Sequence, residues 1–392
     1  MLDIAACVVP GFHQCKLRLA LTFPVTLPKL HFMLRRQLLL NVSALLASGG
    51  AALHGTLSGR RLGLVIHSYS HRWQGKHSSI KHPPFHDVLD VMDHGIELGI
   101  GSLQIGMEGW SLDLAQKARA SSESYNMKLE GSIRLPQAPG DVERFTHELR
   151  LGREAGATIF RTAAGGRRYE VFTQRADFEH WKARIKQSLE LAEPVARRLG
   201  AQIAVENHKD FETTELLEII KTISSPQIGV CLDTGNSLAL LESPLTVVEQ
   251  LAPYTLTVHL KDLAVHLTDD GFEMAEVPLG QGMLDLPEMI RVIQLGAPRA
   301  EFHLEMITRD PLSIRCLSES YWPSFPNKPG VELARTLALV RQRQIPKLPE
   351  VSSLPPEARL ALEEKNIIDS IVYAGGKLGF SQIPISARLK EE

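Results

Sequence analysis

From residue 61 onward, short β-rich runs alternate with longer stretches of helical periodicity, and this rhythm restricts the chain to very few folds. The pattern predicts strands at Leu62–His67, Ser102–Met107, Lys128–Ile133, Thr158–Thr162, Gln202–Glu206, Ile228–Leu232, Leu256–Leu260 and Glu301–Glu305. Between them lie amphipathic helix candidates such as HDVLDVMDHGIELGI, DVERFTHELRLGREAGA and DLPEMIRVI. A strand followed by a helix, repeated, predicts parallel strands joined by crossover helices. Eight such units over roughly 280 residues suit a closed α/β (β/α)8 TIM barrel better than a doubly wound open sheet. Gly99, Gly101, Gly156 and Gly200 fall at or near helix ends, where a left-handed residue is needed to stop a helix. Neither a Gly-x-Gly-x-x-Gly fingerprint at the first helix nor a Gly-Lys-Ser/Thr loop is found, so the signatures of dinucleotide and P-loop folds are missing.

The flanks read differently. Residues 33–55, MLRRQLLLNVSALLASGGAALHG, run from a basic pair through an apolar stretch to small residues, the order of an export signal. Arg35-Arg36 before Gln-Leu-Leu resembles a twin-arginine signal, and Met33 stands where such a segment begins. The apolar run is too short to span a bilayer, which takes about 20 residues. The expectation is export to the periplasm or outside, with residues 1–57 an upstream extension and signal peptide and no stable membrane span once it is removed. A barrel domain over 58–345 follows, and 346–392 is a Pro/Ser-rich linker leading into a helical C-terminal appendage that packs on the barrel or on a second copy in a homodimer.

Charge and cysteine content narrow the chemistry. Lys and Arg total 43 against 45 Asp and Glu, a balance that gives no basic face for nucleic acid. The four cysteines are too scattered for a disulfide framework or a Cys-based zinc site. Cys231 and Cys316 are read as unpaired core thiols.

In a parallel barrel the active site forms at the carboxyl ends of the strands. Strands five to eight end AVENH, VCLDTGN, TVHLKD and FHLEM, each apolar until a carboxylate or imidazole appears. One such carboxylate is an ordinary ion-pair partner. Such groups on four successive strands, three of them carboxylates, would repel unless a cation lay among them. Glu206, Asp233, His259 and Glu305 therefore form a candidate site for one divalent ion, with Mn²⁺, Mg²⁺, Co²⁺ and Zn²⁺ all compatible with three carboxylates and one imidazole. Side chains two apart on a strand share a face, which adds His208 and Lys261 as candidates for proton transfer or oxyanion binding and leaves His303 as a core histidine.

These segments, ENH, LDTGN, HLKD and LEM in that order over roughly residues 60–345, resemble the xylose-isomerase-like TIM barrels of the sugar phosphate isomerase/epimerase superfamily. The resemblance implies a Glu-Asp-His-Glu quartet holding one metal, often manganese, at Glu206, Asp233, His259 and Glu305. In the family's ketose 3-epimerases the two glutamates also exchange a proton beside the substrate carbonyl, which makes Glu206 and Glu305 catalytic candidates. Many members carry Asp-Thr-x-His after strand six. Asn236 stands in that last place here, and an amide binds substrate but is a poor base. An export signal disfavours a phosphorylated substrate. The expected function is thus a metal-dependent isomerase or epimerase of a non-phosphorylated sugar, and the alternative is a 3-oxo-glycoside lyase or hydrolase. An endonuclease-IV-like phosphodiesterase would need more strand-end histidines and a basic face. A non-catalytic sugar-binding module would have no need of an intact quartet.

The loops supply substrate-binding candidates. The histidine-rich segment after strand one offers His67, His71 and Trp73, the segment after strand four offers Arg167 and Arg168, and a long insertion after strand eight offers Arg309, Tyr321 and Trp322 as a lid or aglycone wall. Glu273–Gly282 is read as a loop after strand seven, ending in a Gly-Gln-Gly turn before the next helix.

Overall fold

The computed structural model describes residue 57 and residues 59–381. The export segment, Met33, Cys7, Cys15 and the last eleven residues lie outside them. Among the described residues no helix is long and apolar enough to cross a membrane.

Strands β1 (Gly63–Val65), β2 (Ser102–Gly106), β3 (Lys128–Ser132), β4 (Ile159–Thr162), β5 (Gln202–Glu206), β6 (Ile228–Asp233) and β7 (Thr255–Leu260) run in chain order around a barrel. Two further strands, β8 (Asp262–Thr268) and β9 (Gly271–Val277), come before β10 (Glu301–Leu304), which pairs with β7 on one side and β1 on the other and closes the ring. All eight barrel pairings are parallel. Each predicted barrel strand is present.

The helices begin and end where the sequence supplies caps. Asp87 accepts from the amide of Leu89 to start α1 (Val88–Leu98), and Ser111 accepts from Leu114 to start α2 (Leu112–Tyr125). α3 (Val142–Glu154) follows, then the single turn α4 (Arg168–Val171) and the long α5 (Arg175–Leu199). Gly99 and Gly200 end α1 and α5 in the left-handed region at φ 74° and 61°. A reciprocal Glu212/Glu215 capping box opens α6 (Thr213–Ile223), which α7 (Pro244–Leu251) and α8 (Leu286–Gly296) follow. Leu, Ile, Val and Phe from strands and helices pack into one core around the barrel.

Two regions were not legible as drawn. Residues 273–277, read as part of a loop over 273–282, lie in β9 of the antiparallel hairpin β8–β9, and β11 (Leu312–Ile314) pairs onto it from the segment after β10. Asp269-Asp270-Gly271 is a hairpin turn signal between two alternating runs. This sheet builds a second core from Leu238–Leu241, Leu263, Val265, Phe272, Met274, Ile314, Tyr321 and Phe325, and α9 (Gly330–Arg343) contributes Val340 to it. Tyr321, expected in a lid, is 2% exposed, stacks on Phe325 and donates its hydroxyl to the carbonyl of Ala239. It is a packing residue because the inserted sheet needs a covered apolar face. Trp322 likewise donates its indole N–H to the carbonyl of Cys316.

The C-terminal α10 (Pro356–Lys377) packs on the barrel. Ile367, Ile371 and Ala374 join the main core, and Phe380 just beyond it lies edge-on to Phe302 of β10. Glu363 accepts from the backbone amides of His71 and Arg72, and Glu364 pairs with Arg72 and His94. The helix therefore clamps the segment that leaves β1.

Candidate metal centre

Strand register delivers the quartet. Asp233 at the end of β6 stands opposite His259 on β7, and His259 opposite His303 on β10. Glu206 closes β5, and Glu305 follows β10 with its amide bonded to the carbonyl of Leu260. One ligand atom from each of Glu206, Asp233, His259 and Glu305 lies within 4.8 Å of the others, and all four residues are buried.

His259 shows why a cation fits. Its Nε2 lies 2.7 Å from Oε1 of Gln104, whose own amide nitrogen donates to Oε2 of Glu130 at 3.1 Å. Gln104 Oε1 is thus an acceptor, so Nε2 carries the ring proton and Nδ1 keeps its lone pair. Among the described residues Nδ1 has no hydrogen-bond partner, yet it is buried 3.7 Å from Oε1 of Glu206 and 3.6 Å from Oε2 of Glu305. A lone pair facing two carboxylate oxygens is repulsive unless a proton or metal lies between. Burial alone would lower the imidazole pKa, but Cys231, Glu305 and Glu206 outweigh it and raise it well above its ordinary value. Three carboxylates and one imidazole suit a divalent ion with positions left for substrate oxygens.

Basic side chains surround the quartet. Arg161 on β4 grips Oε2 of Glu206 with Nε at 2.7 Å and with Nη2. Burial pushes Glu206 up, but Arg161 and then His259 hold its carboxyl well below the usual range. Lys261 Nζ lies 2.9 Å from Oδ2 of Asp233 and 2.6 Å from Oε2 of Glu305. Burial lifts the Asp233 carboxyl to about 6 against the pull of Lys261. Asp233 also accepts the amides of Gly235 and Asn236 at 2.8 and 2.7 Å, which fixes the turn after β6.

The remaining candidates divide. Asn236 donates to Oε1 of Glu206 at 3.0 Å, and His67 Nδ1 lies 3.2 Å from Oε1 of Glu305. His208 is half-buried, with burial and then Lys209 lowering its ring to about 3, so it stays neutral. Arg309 forms a two-point pair with Glu276 of β9, which itself approaches Lys261 at 3.8 Å. Trp73 packs on the main core and bridges to Phe85. Arg167 pairs with Glu170 at the surface, while Arg168 turns inward over Phe178 toward Glu215. His71 bonds the carbonyl of Thr308, and His303 sits by Thr257 in the core.

Sequence reasoning passed over Arg161, Lys209, Glu276, Gln104 and Glu130. Arg161 and Gln104 each interrupt an otherwise apolar or small-residue strand, and Glu130 stands mid-strand between Leu129 and Gly131, which is the signal that marks them. Lys209 follows the ENH segment directly. Asp262, at the end of the HLKD segment, accepts the amides of Gly280, Gly282 and Leu284 and so secures the Gly-Gln-Gly turn. A Cβ at Gly282 would meet Asp262 Oδ1 at 2.2 Å, so the close approach requires glycine.

A closed parallel barrel with a buried carboxylate–imidazole quartet at its strand ends defines a class, the TIM barrels whose strand ends could hold a metal ion. Residues 94–331, well over half of the chain, match the family model described as xylose isomerase-like TIM barrel, and the chain belongs to that family. A stretch of 103 residues is 32% identical to 3-oxo-isoapionate decarboxylase of Pectobacterium atrosepticum, covering 26% of this chain and 38% of that protein. Another of 88 residues is 26% identical to the uncharacterized protein YihM of Escherichia coli, covering 22% of this chain and 26% of that one. The chain thus matches well under half the length of either relative. A crystal structure of D-psicose 3-epimerase, determined in the presence of D-fructose, superposes with a TM-score of 0.53 over 81% of this chain and 99% of that one, at 12% identity. At that identity the likeness shows the fold alone.

Proposed function

We propose that this chain is a divalent-metal-dependent enzyme of the isomerase/epimerase type, removing a proton beside a carbonyl of a non-phosphorylated sugar. The observation that carries the reading is the buried, unpartnered Nδ1 of His259 among the carboxylates of Glu206, Asp233 and Glu305. When bound there, a divalent ion, Mn²⁺ in this reading, polarises the carbonyl and acidifies the neighbouring C–H.

The surrounding residues divide the work. Glu206 has one oxygen held by Arg161 and the other by Asn236, which suits a fixed ligand. Glu305 suits a base. Burial pushes its carboxyl up, but Lys261 and His259 outweigh burial and keep it ionised. Its Oε1 faces His67, a side chain 43% exposed and therefore a path for the proton to solvent. Lys261 beside Glu305 and Asp233 supplies positive charge for the developing oxyanion. His208 is a neutral hydrogen-bonding group at the mouth, and Asn236 and Arg309 border the substrate.

The 3-oxo-isoapionate decarboxylase similarity supports a sugar-derived substrate with a carbonyl next to the bond that changes. That relative is named for bond cleavage, so a 3-oxo-glycoside lyase is the second reading. Export before residue 58 is part of the same proposal and accords with a non-phosphorylated substrate.

The test incubates the full chain with Mn²⁺ in D₂O with a panel of ketoses and 3-oxo-glycosides, read by mass spectrometry. Deuterium in an intact ketose supports the isomerase/epimerase reading. Release of an aglycone supports the lyase. No exchange and no release from a protein shown to hold manganese would overturn both.

A further inference from the structure

Lys209 is 3% exposed, and the only hydrogen bond its Nζ makes among the described residues goes to Oδ1 of Asn236. It forms no ion pair there. The other basic groups around the quartet are all paired: Arg161 with Glu206, Lys261 with Asp233 and Glu305, Arg309 with Glu276. An ammonium has three donors, and burying one with a single neutral acceptor leaves most of its desolvation uncompensated. Lys261 Nζ lies 3.5 Å from the same Asn236 oxygen, so two ammonium groups converge on one amide. Burial, and next the charge of Lys261, lower the Lys209 pKa to about 8.

Resting on the metal-centre reading above, we propose that Lys209, with Lys261 and Asn236, forms an anion subsite and that the substrate is a sugar acid whose carboxylate it binds. A carboxylate offers two coplanar oxygens, which fit two ammonium groups on either side of one amide. The carbonyl then addresses the quartet while the carboxylate fixes which neighbouring carbon faces Glu305. Lys209 is on this view a specificity residue.

The test is calorimetric and needs no turnover. The full chain is titrated with Mn²⁺, and the loaded protein is then titrated with D-xylonate, xylitol and xylitol 5-phosphate. D-xylonate is expected to bind at least about tenfold more tightly than xylitol, the usual scale of a charge-assisted hydrogen bond. Lys209→Met should bring the two probes near parity with manganese affinity unchanged, and Lys209→Arg should keep the preference. Equal binding of D-xylonate and xylitol by manganese-loaded wild type overturns the subsite. So does equal weakening of both probes in Lys209→Met, which would make Lys209 a support for Asn236 only. Tighter binding of xylitol 5-phosphate would overturn the carboxylate in favour of a phosphate. Failure to take up manganese, read before any sugar is added, overturns the metal centre and this subsite together.

Discussion

Oε1 of Gln104 lies 2.7 Å from Nε2 of His259, on the side of the ring away from the carboxylates. It fixes the tautomer that points a lone pair into the quartet, and Glu130 in turn orients Gln104 by accepting from its amide. Replacing Gln104 with Leu frees the ring to turn and removes the partner that keeps Nε2 protonated. Partners of this kind are worth about 10- to 100-fold in metal affinity. Gln104→Leu should weaken manganese binding by that factor in a calorimetric titration, with little change in the far-ultraviolet circular dichroism. Wild-type affinity in the variant would refute the tautomer argument.

Glu305→Gln should abolish proton exchange while leaving the barrel folded. An amide cannot accept the proton, and it no longer answers the charge of Lys261 at 2.6 Å. A positioned general base contributes about 10²- to 10⁴-fold to rate, so loss of at least that factor in deuterium incorporation is expected. Near-wild-type exchange would place the chemistry elsewhere.

The barrel and the quartet were readable because both follow from local pattern. Strand ends declare themselves where an apolar run stops at Glu206, Asp233, His259 or Glu305, and the fold places those ends together. The inserted sheet was hidden by its position. Alternation in Asp262–Val277 was present, but its partner β11 lies beyond β10, and such a pairing has no local signature. The basic surround was hidden for another reason. Arg161 meets Glu206 only through the pairing of β4 with β5, Lys209 reaches the site only through Asn236, and a single charged residue beside a strand end is usually a solvated one. Arg167 shows the converse, a sequence candidate in the segment after β4 that the structure turns to Glu170.

Glu130 gives the protein a pH-dependent weakness. Burial raises its carboxyl from 4.5 to about 7, against hydrogen bonds from Thr257 and Gln104. A folded pKa above the unfolded value means the folded state holds the proton more tightly. That contribution is full below pH 4.5 and is lost as pH rises through about 7. Glu130→Gln cannot ionise, so relative to wild type it should gain stability between pH 5 and pH 8 by at most about 3 kcal/mol. Urea denaturation of both proteins at the two pH values checks this. A parallel pH dependence in variant and wild type would remove Glu130 as its source.

Glu363 ties the C-terminal helix to the mouth of the barrel. Its Oε1 accepts the amide of His71 at 2.7 Å and the hydroxyl of Ser70 at 3.3 Å, and its Oε2 accepts the amide of Arg72 at 3.2 Å. These residues end the segment that carries His67 to Glu305. Glu363→Ala leaves two backbone N–H groups without their acceptor, at a cost of about 1–3 kcal/mol for each one that stays buried. The variant should lose about 2–4 kcal/mol in urea denaturation on that basis. Amide exchange at His71 and Arg72 should accelerate ahead of the barrel strands, because the loosened segment opens locally before the core does. If the clamp also positions His67, proton exchange with substrate should slow in Glu363→Ala while manganese affinity holds, since none of the four ligands sits on this segment. Unchanged stability together with unchanged amide exchange would show that the helix covers the barrel without holding its mouth.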